Sequence, residues 1–207
     1  MRKKVKAFLL VSIWLSSYCN AQNTRINDRN TISWYATNGT IKLTNKFSIH
    51  AEYQWRREGL VAQWQQSLFR TGLNYKLNEQ ITLRGGYAWI ETFNYGDIPL
   101  QAAGKTFTEH RTFQMALLTQ RSGTLDLSHR FMLEQRWIAR YLNAASVKPD
   151  EWFYVNRLRY MIRLQHALKG TTLEDKEPYA AVFNEIFIGF GKNVNENVFD
   201  QNRIGVL

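Results

Sequence analysis

Cysteine occurs once in this chain, at Cys19, and proline three times, at Pro99, Pro149 and Pro178. One thiol cannot form an internal disulfide or supply a paired-thiolate metal site. So few prolines leave long stretches of backbone free to donate along a β-ladder. No apolar run past residue 21 approaches the roughly 20 residues that a membrane-spanning helix needs. Acid is in deficit, with 17 Asp+Glu against 27 Lys+Arg and a formal net charge of +10. Such an excess raises the question of nucleic acid, yet the arginines are spread singly through alternating segments and form no cluster, so nucleic acid is not an expected partner. With no H-E-x-x-H element and no paired Cys-His spacing, neither a metal nor a cofactor is expected.

At the start of the chain, Arg2, Lys3, Lys4 and Lys6 precede an apolar run from Ala7 to Leu15, and small and polar residues follow, ending Cys19-Asn20-Ala21. Residues 1–21 therefore read as a signal peptide cleaved after Ala21. A membrane anchor is the alternative, but an apolar run of about nine residues is too short for one. Lipid attachment at Cys19 is opposed by the bulky Tyr18 before it. Removal of the leader would take four positive charges with it, leaving an excess of about +6 and no cysteine in the mature domain, residues 22–207.

Between Phe47 and Arg56 the side chains alternate. Phe47, Ile49, Ala51, Tyr53 and Trp55 fall in one phase; Ser48, His50, Glu52, Gln54 and Arg56 fall in the other. A period of two belongs to a β-strand. Strands are expected over Thr31–Leu43, from Phe47, over Trp64–Leu77, Ile81–Thr92, Arg111–Arg121, Thr124–Tyr141, Phe153–Gln165 and Tyr179–Phe190, and from Gln201 to the end. Connections should be short after the first, third and fifth strands and long after the second, fourth, sixth and eighth, the arrangement of outer-membrane barrels with tight periplasmic turns and longer outer loops. The fold class is thus all-β, an antiparallel up-and-down transmembrane β-barrel in one domain. Tight turns on the periplasmic side would start the first strand outside. Either residues 22–30 pass up through or beside the barrel, or that strand is misassigned.

The sixth and seventh segments set the register. Asp126, Arg130, Glu134 and Arg136 share one phase of the sixth, and Arg157, Arg159 and Arg163 share one phase of the seventh. An arginine facing lipid at mid-bilayer costs about 2–4 kcal/mol, so these side chains should look inward. There Glu52, Asp126, Glu134 and Glu185 are available to Arg56, Arg70, Arg84, Arg130, Arg136, Arg157, Arg159, Arg163 and Arg203. The set reads as a salt-bridge network filling a narrow lumen, or as a basic conduit or pocket for an anion. Outside, Tyr35, Tyr53, Trp55, Tyr75, Tyr87, Trp89, Trp137, Tyr141 and Tyr154 are placed to form two aromatic girdles. A soluble ligand-carrying barrel would put the same rings in cross-strand packing.

The ordered series His129-Arg130-Phe131-Met132-Leu133-Glu134-Gln135-Arg136-Trp137, Asn156-Arg157-Leu158-Arg159-Tyr160, Asn184-Glu185-Ile186-Phe187 and Asp200-Gln201-Asn202-Arg203 resembles the domain-of-unknown-function 2490 family, predicted outer-membrane β-barrel proteins of Gram-negative bacteria. The resemblance covers about residues 30–207. It implies location and fold, and no activity or catalytic residue. Such proteins continue to an aromatic C-terminal residue, whereas Leu207 stops within a strand. An odd strand count is foreign to bacterial single-chain barrels, so a complete form of ten to twelve strands is expected, with this chain truncated.

Three functions remain. Catalysis would draw on His50, His110, His129 or His166; Ser48 and His50 share a face, Ser128 and His129 do not, and no G-x-S-x-G element occurs. Passive transport is limited by size, because aqueous channels open near 16 strands. A structural or surface role would use long loops such as Tyr95–Asp97 and Lys148–Glu151. The expectation is an outer-membrane structural, surface or narrow-channel protein; the alternatives are an outer-membrane lipid-modifying enzyme or a soluble periplasmic ligand carrier. Outer-membrane lipids and the barrel-insertion machinery are the expected partners.

Overall fold

The computed structural model describes residues 29–169, 178–194 and 198–207. The expected signal peptide, and the leader up to residue 28, lie outside the described residues.

Alternating sequences become strands throughout: β1 (Ile32–Lys42), β2 (Phe47–Glu58), β3 (Gln63–Lys76), β4 (Ile81–Thr92), β5 (Phe107–Ser122), β6 (Leu125–Arg140), β7 (Glu151–Ala167), β8 (Tyr179–Phe190) and β9 (Phe199–Val206). They form one nine-stranded sheet in the order β1 to β9, every neighbour antiparallel. No helix occurs among the described residues. This is an up-and-down meander curled into a half-barrel. The first strand is where the alternation placed it, and the three prolines all fall outside strands.

The curl is visible in contacts between strands that are not neighbours. Arg130 on β6 donates to Glu185 on β8 at 2.8 Å, and Arg157 on β7 to Asp200 on β9 at 2.9 Å. Side chains can reach past an intervening strand only on the concave side of a curved sheet. That side is the inner face, and it holds the charged phase of every strand. Within β1–β9, every Lys, Arg, Asp and Glu lies on that side except Arg57 and Glu91, all by alternation but Asp200, which the β8–β9 bulge opposite Phe187 and Ile188 turns inward.

The inner face has two apolar clusters, Leu68 with Ala88 and Ile90, and Phe113 with Met115 and Met132. Gly86 lets the wall approach Phe113: a Cβ there would lie 2.6 Å from the Phe113 Cζ and 2.2 Å from the Thr71 carbonyl oxygen.

The turns depart from expectation in one place. No long connection follows β2. Both strands run further than their alternation suggested, leaving residues 59–62, the same length as the turns at 43–46 and 77–80. Gly59 at φ +61° reverses the chain, and the Ala62 N–H donates to the Glu58 carbonyl at 3.2 Å. A bulge between Arg56 and Arg57 lets the hairpin close tightly. The connections after β4 and β6 are long, as expected, at residues 93–106 and 141–150. The first folds over its end of the sheet: Gly96 N–H donates to Glu58 at 3.4 Å, and the Gln101 side chain to the Ala139 carbonyl at 2.8 Å.

Candidate functional site

The inner face is built by strand alternation, which sends residues i, i+2 and i+4 to one side, and by register, which levels them with their neighbours. All thirteen residues expected on it share that phase: Glu52, Arg56, Arg70, Arg84, Asp126, Arg130, Glu134, Arg136, Arg157, Arg159, Arg163, Glu185 and Arg203.

Ion pairs join part of the set. Glu134, 1% exposed, is its centre. It accepts from Arg157 at 2.6 Å and from Arg159 at 2.8 Å, with Arg111 at 3.7 Å. Arg159 turns its other edge to Glu185, at 2.7 Å, which also accepts from Arg130. A second centre is Glu109, which accepts both Nε and Nη2 of Arg136, at 2.6 and 3.1 Å, and pairs with Arg111. On the other wall Arg70 meets Glu52 at 3.1 Å. Shared, bidentate guanidinium–carboxylate contacts of this kind satisfy the donors that burial would otherwise leave without water.

Other expected members stand apart. Asp126 pairs with Arg121 at the β5–β6 hairpin, at 3.1 Å, rather than with any of the nine arginines. Arg56, Arg84, Arg163 and Arg203 form no ion pair among the described residues. Arg84 donates to Asn74 at 2.5 Å, Arg56 to Gln54 and Gln66, and Arg203 to Gln201. Arg163 lies 5.9 Å from the Tyr179 ring.

Three partners escaped the sequence reading. Glu109 and Asp200 fall just before the expected fifth and ninth strands, and Arg111 stands at the start of the fifth. Glu109, Arg111, Phe113 and Met115 form one inward phase of β5. Extending the alternation two residues back from Arg111 reaches the first of them.

The histidines divide between the faces. His50 is buried on the inner face, its Nδ1 sharing a hydrogen bond with the Thr40 hydroxyl at 3.1 Å. Ser48, on the same face, accepts instead from Asn74 at 2.9 Å, so no Ser–His pair forms. His110 and His129 point outward, each bonded to a tyrosine hydroxyl, Tyr87 at 2.5 Å and Tyr160 at 2.9 Å. No group of three His, Cys, Asp or Glu side chains suited to a metal occurs among the described residues.

The outer face is apolar and aromatic. Leu73, Leu83, Phe131, Leu158, Ile162 and Leu164 are exposed on it. Its polar side chains satisfy one another: Gln114 and Gln135 exchange hydrogen bonds at 3.2 and 3.1 Å, and Asn184 bonds Asn202 at 2.9 Å. Rings gather at one rim, where the β2–β3 and β4–β5 connections lie. Tyr35, Trp55, Trp64 and Phe93 contact one another in succession, tilted or edge-on, with centroids 5.3, 5.8 and 5.3 Å apart, and Trp137 meets Tyr154 at 5.2 Å. At the opposite rim Phe47 and Tyr75 form one such pair, 5.1 Å apart. The rings therefore mark one rim far more heavily than the other. Tyr141 lies in the β6–β7 connection rather than on a strand.

An antiparallel meander with a charged concave face and an apolar convex one defines the class as an up-and-down, barrel-like β-protein. The chain belongs to the family described as protein of unknown function DUF2490, whose model matches residues 31–207. No curated protein and no solved structure matches it.

Proposed function

We propose that this chain is an outer-membrane β-barrel protein whose interior is held by a salt-bridge network, with a structural or surface role and at most a narrow aqueous route. The distribution of charge carries the proposal. Arg57 and Glu91 are the outward-facing charges of the nine strands, and both sit at the ring-rich rim, where Arg57 lies over Trp55 and Trp64 and Glu91 accepts from Trp89 at 3.0 Å. Between the rims the exterior is apolar or internally hydrogen-bonded. Soluble monomers seldom expose contiguous apolar area beyond about 300–600 Å², whereas hydrocarbon demands such an exterior.

Strand length supports the same reading. A tilted strand crosses the apolar layer with about 9–11 residues, and β1 to β8 have 11 to 17. Export would use residues 1–21 as a cleaved signal, and insertion would use the cell's barrel-insertion machinery. Paired carboxylates and guanidiniums fill the middle of the inner face, which favours a closed interior over a conducting one.

Expression with the leader, followed by membrane fractionation and then planar-bilayer recording, tests the proposal. Recovery with the outer membrane and no steady conductance is the expected outcome. Recovery in the soluble periplasmic fraction would overturn the membrane assignment, and large regular conductance steps would overturn the closed interior.

A further inference from the structure

Of Arg111 and the nine arginines expected inside, six (Arg70, Arg111, Arg130, Arg136, Arg157 and Arg159) meet a carboxylate, and four (Arg56, Arg84, Arg163 and Arg203) do not among the described residues. Two of those four converge. The Arg56 guanidinium lies 4.0 Å from the Trp34 ring centroid, and the Arg203 guanidinium, arriving from the far edge of the sheet, lies 5.0 Å from the same centroid.

How these arginines are held matters more than that they are close. Arg56 donates through Nε and Nη2 to the Gln54 amide oxygen, at 3.1 and 2.5 Å, and through Nη1 to that of Gln66, at 2.7 Å. Gln66 is fixed in turn by donating to the Thr92 hydroxyl at 2.9 Å. Arg203 donates to the Gln201 amide oxygen at 2.9 Å, and its Nε is buried with no partner among the described residues. Neutral amides orient both forks without cancelling either charge. A ring face adds a cation–π attraction but takes up no N–H donors. The result is two pre-oriented guanidiniums, still charged, with N–H groups to spare, and such an arrangement suits a planar or tetrahedral oxyanion.

We propose that Arg56 and Arg203, gathered on Trp34, form a binding site for a phosphate-class oxyanion, either free phosphate or the phosphate of a lipid headgroup. The site stands whether the sheet lies in a membrane or in water.

Calorimetry on the purified chain in neutral detergent tests this, with inorganic phosphate titrated against chloride of equal ionic strength, and with micelles doped with phosphatidic acid as a second arm. Saturable binding of either probe supports the site: inorganic phosphate points to the free anion, phosphatidic acid alone to the headgroup. Losing one charge-assisted contact should weaken binding by about tenfold or more in Arg56→Gln and in Arg203→Gln. Arg163→Gln, which removes an equally unpaired arginine away from Trp34, should bind like the parent. Arg56→Lys keeps the charge without the fork and should fall between. Phosphate should also raise the unfolding temperature of the parent by more than that of Arg203→Gln at equal concentration, a readout that survives if one variant folds poorly. Absence of binding above the chloride control, or equal losses in all three glutamine variants, would overturn the proposal.

Discussion

The Arg203 guanidinium on β9 lies 5.0 Å from the ring of Trp34 on β1, although no backbone pairing joins those two strands. Backbone partners followed from Arg203 pass through Glu185, Met161, Arg130, Leu117 and Thr82 to Lys76. Lys76 is level with Lys46 in the β1–β2 turn, at the opposite end of β1 from Trp34. The sheet therefore returns on itself with a large stagger, as tilted strands must when they curl towards a barrel. Half-closed geometry of this kind makes the inner face nearly enclosed, and the consequences of its charges can be tested.

Glu134→Ala should be severely destabilising. It would leave Arg157 and Arg159 buried without their shared carboxylate, and breaking a buried pair in this way costs about 3–5 kcal/mol. Urea unfolding followed by tryptophan fluorescence reads the loss. A change under about 1 kcal/mol would mean that water replaces the carboxylate and that the interior is wet at that level.

Adjacent glycines on β4 should respond unequally to alanine. A Cβ on Gly86 meets the Thr71 carbonyl and Phe113, while one on Gly85 meets nothing within 4 Å. Gly86→Ala should cost about 1–3 kcal/mol through overpacking. Gly85→Ala should stay within about 0.5 kcal/mol. Equal effects would show that the two residues do not face opposite sides.

Leu158 is 42% exposed on the convex face. In water its replacement by arginine would be nearly neutral, whereas mid-bilayer it should cost about 2–4 kcal/mol. Unfolding free energies of Leu158→Arg in phospholipid vesicles discriminate between these outcomes, and neutrality there would count against lipid contact.

The β6–β7 connection carries an acid-sensitive fastening. The Leu142 N–H donates to the Asp150 carboxylate at 2.8 Å, and with the Ser146 hydroxyl it holds that carboxyl below the usual aspartate range. A group whose pKa is lowered by folding stabilises above its unfolded value and loses that contribution as pH falls through the folded one. Protection of the Leu142 amide from hydrogen exchange should therefore drop below the normal aspartate range, and Asp150→Asn should abolish the pH dependence. An unchanged protection factor in Asp150→Asn would show that the carboxylate does not hold the loop.

Much of the fold could be read directly. Ile81–Thr92 and Tyr179–Phe190 have the bounds that alternation suggested, because turn chemistry brackets both: Asn78 accepts the Gln80 and Ile81 N–H groups before one, and Pro178 precedes the other. β5 was legible only in part. Its first turn-side residues, Phe107 to His110, are mixed in polarity, and a short polar stretch beside glycine and lysine reads as loop. Glu109 becomes strand because Arg111 on the same strand and Arg136 on the next both need a carboxylate at that level.

Side-chain alternation alone determined that the chain would be a β-sheet with its strand arginines, Arg57 apart, on one face, since a period of two admits no other regular backbone and a one-residue slip would exchange the faces. Which arginines would find carboxylates was decided only in three dimensions. Curvature brings Asp200 to Arg157 and Glu185 to Arg130 past an intervening strand, and it leaves Arg56 and Arg203 together on Trp34 with amides for company. Spacing along one strand carries no information about how far a neighbour's neighbour is tilted, and that tilt sets the distances on which ion pairing depends.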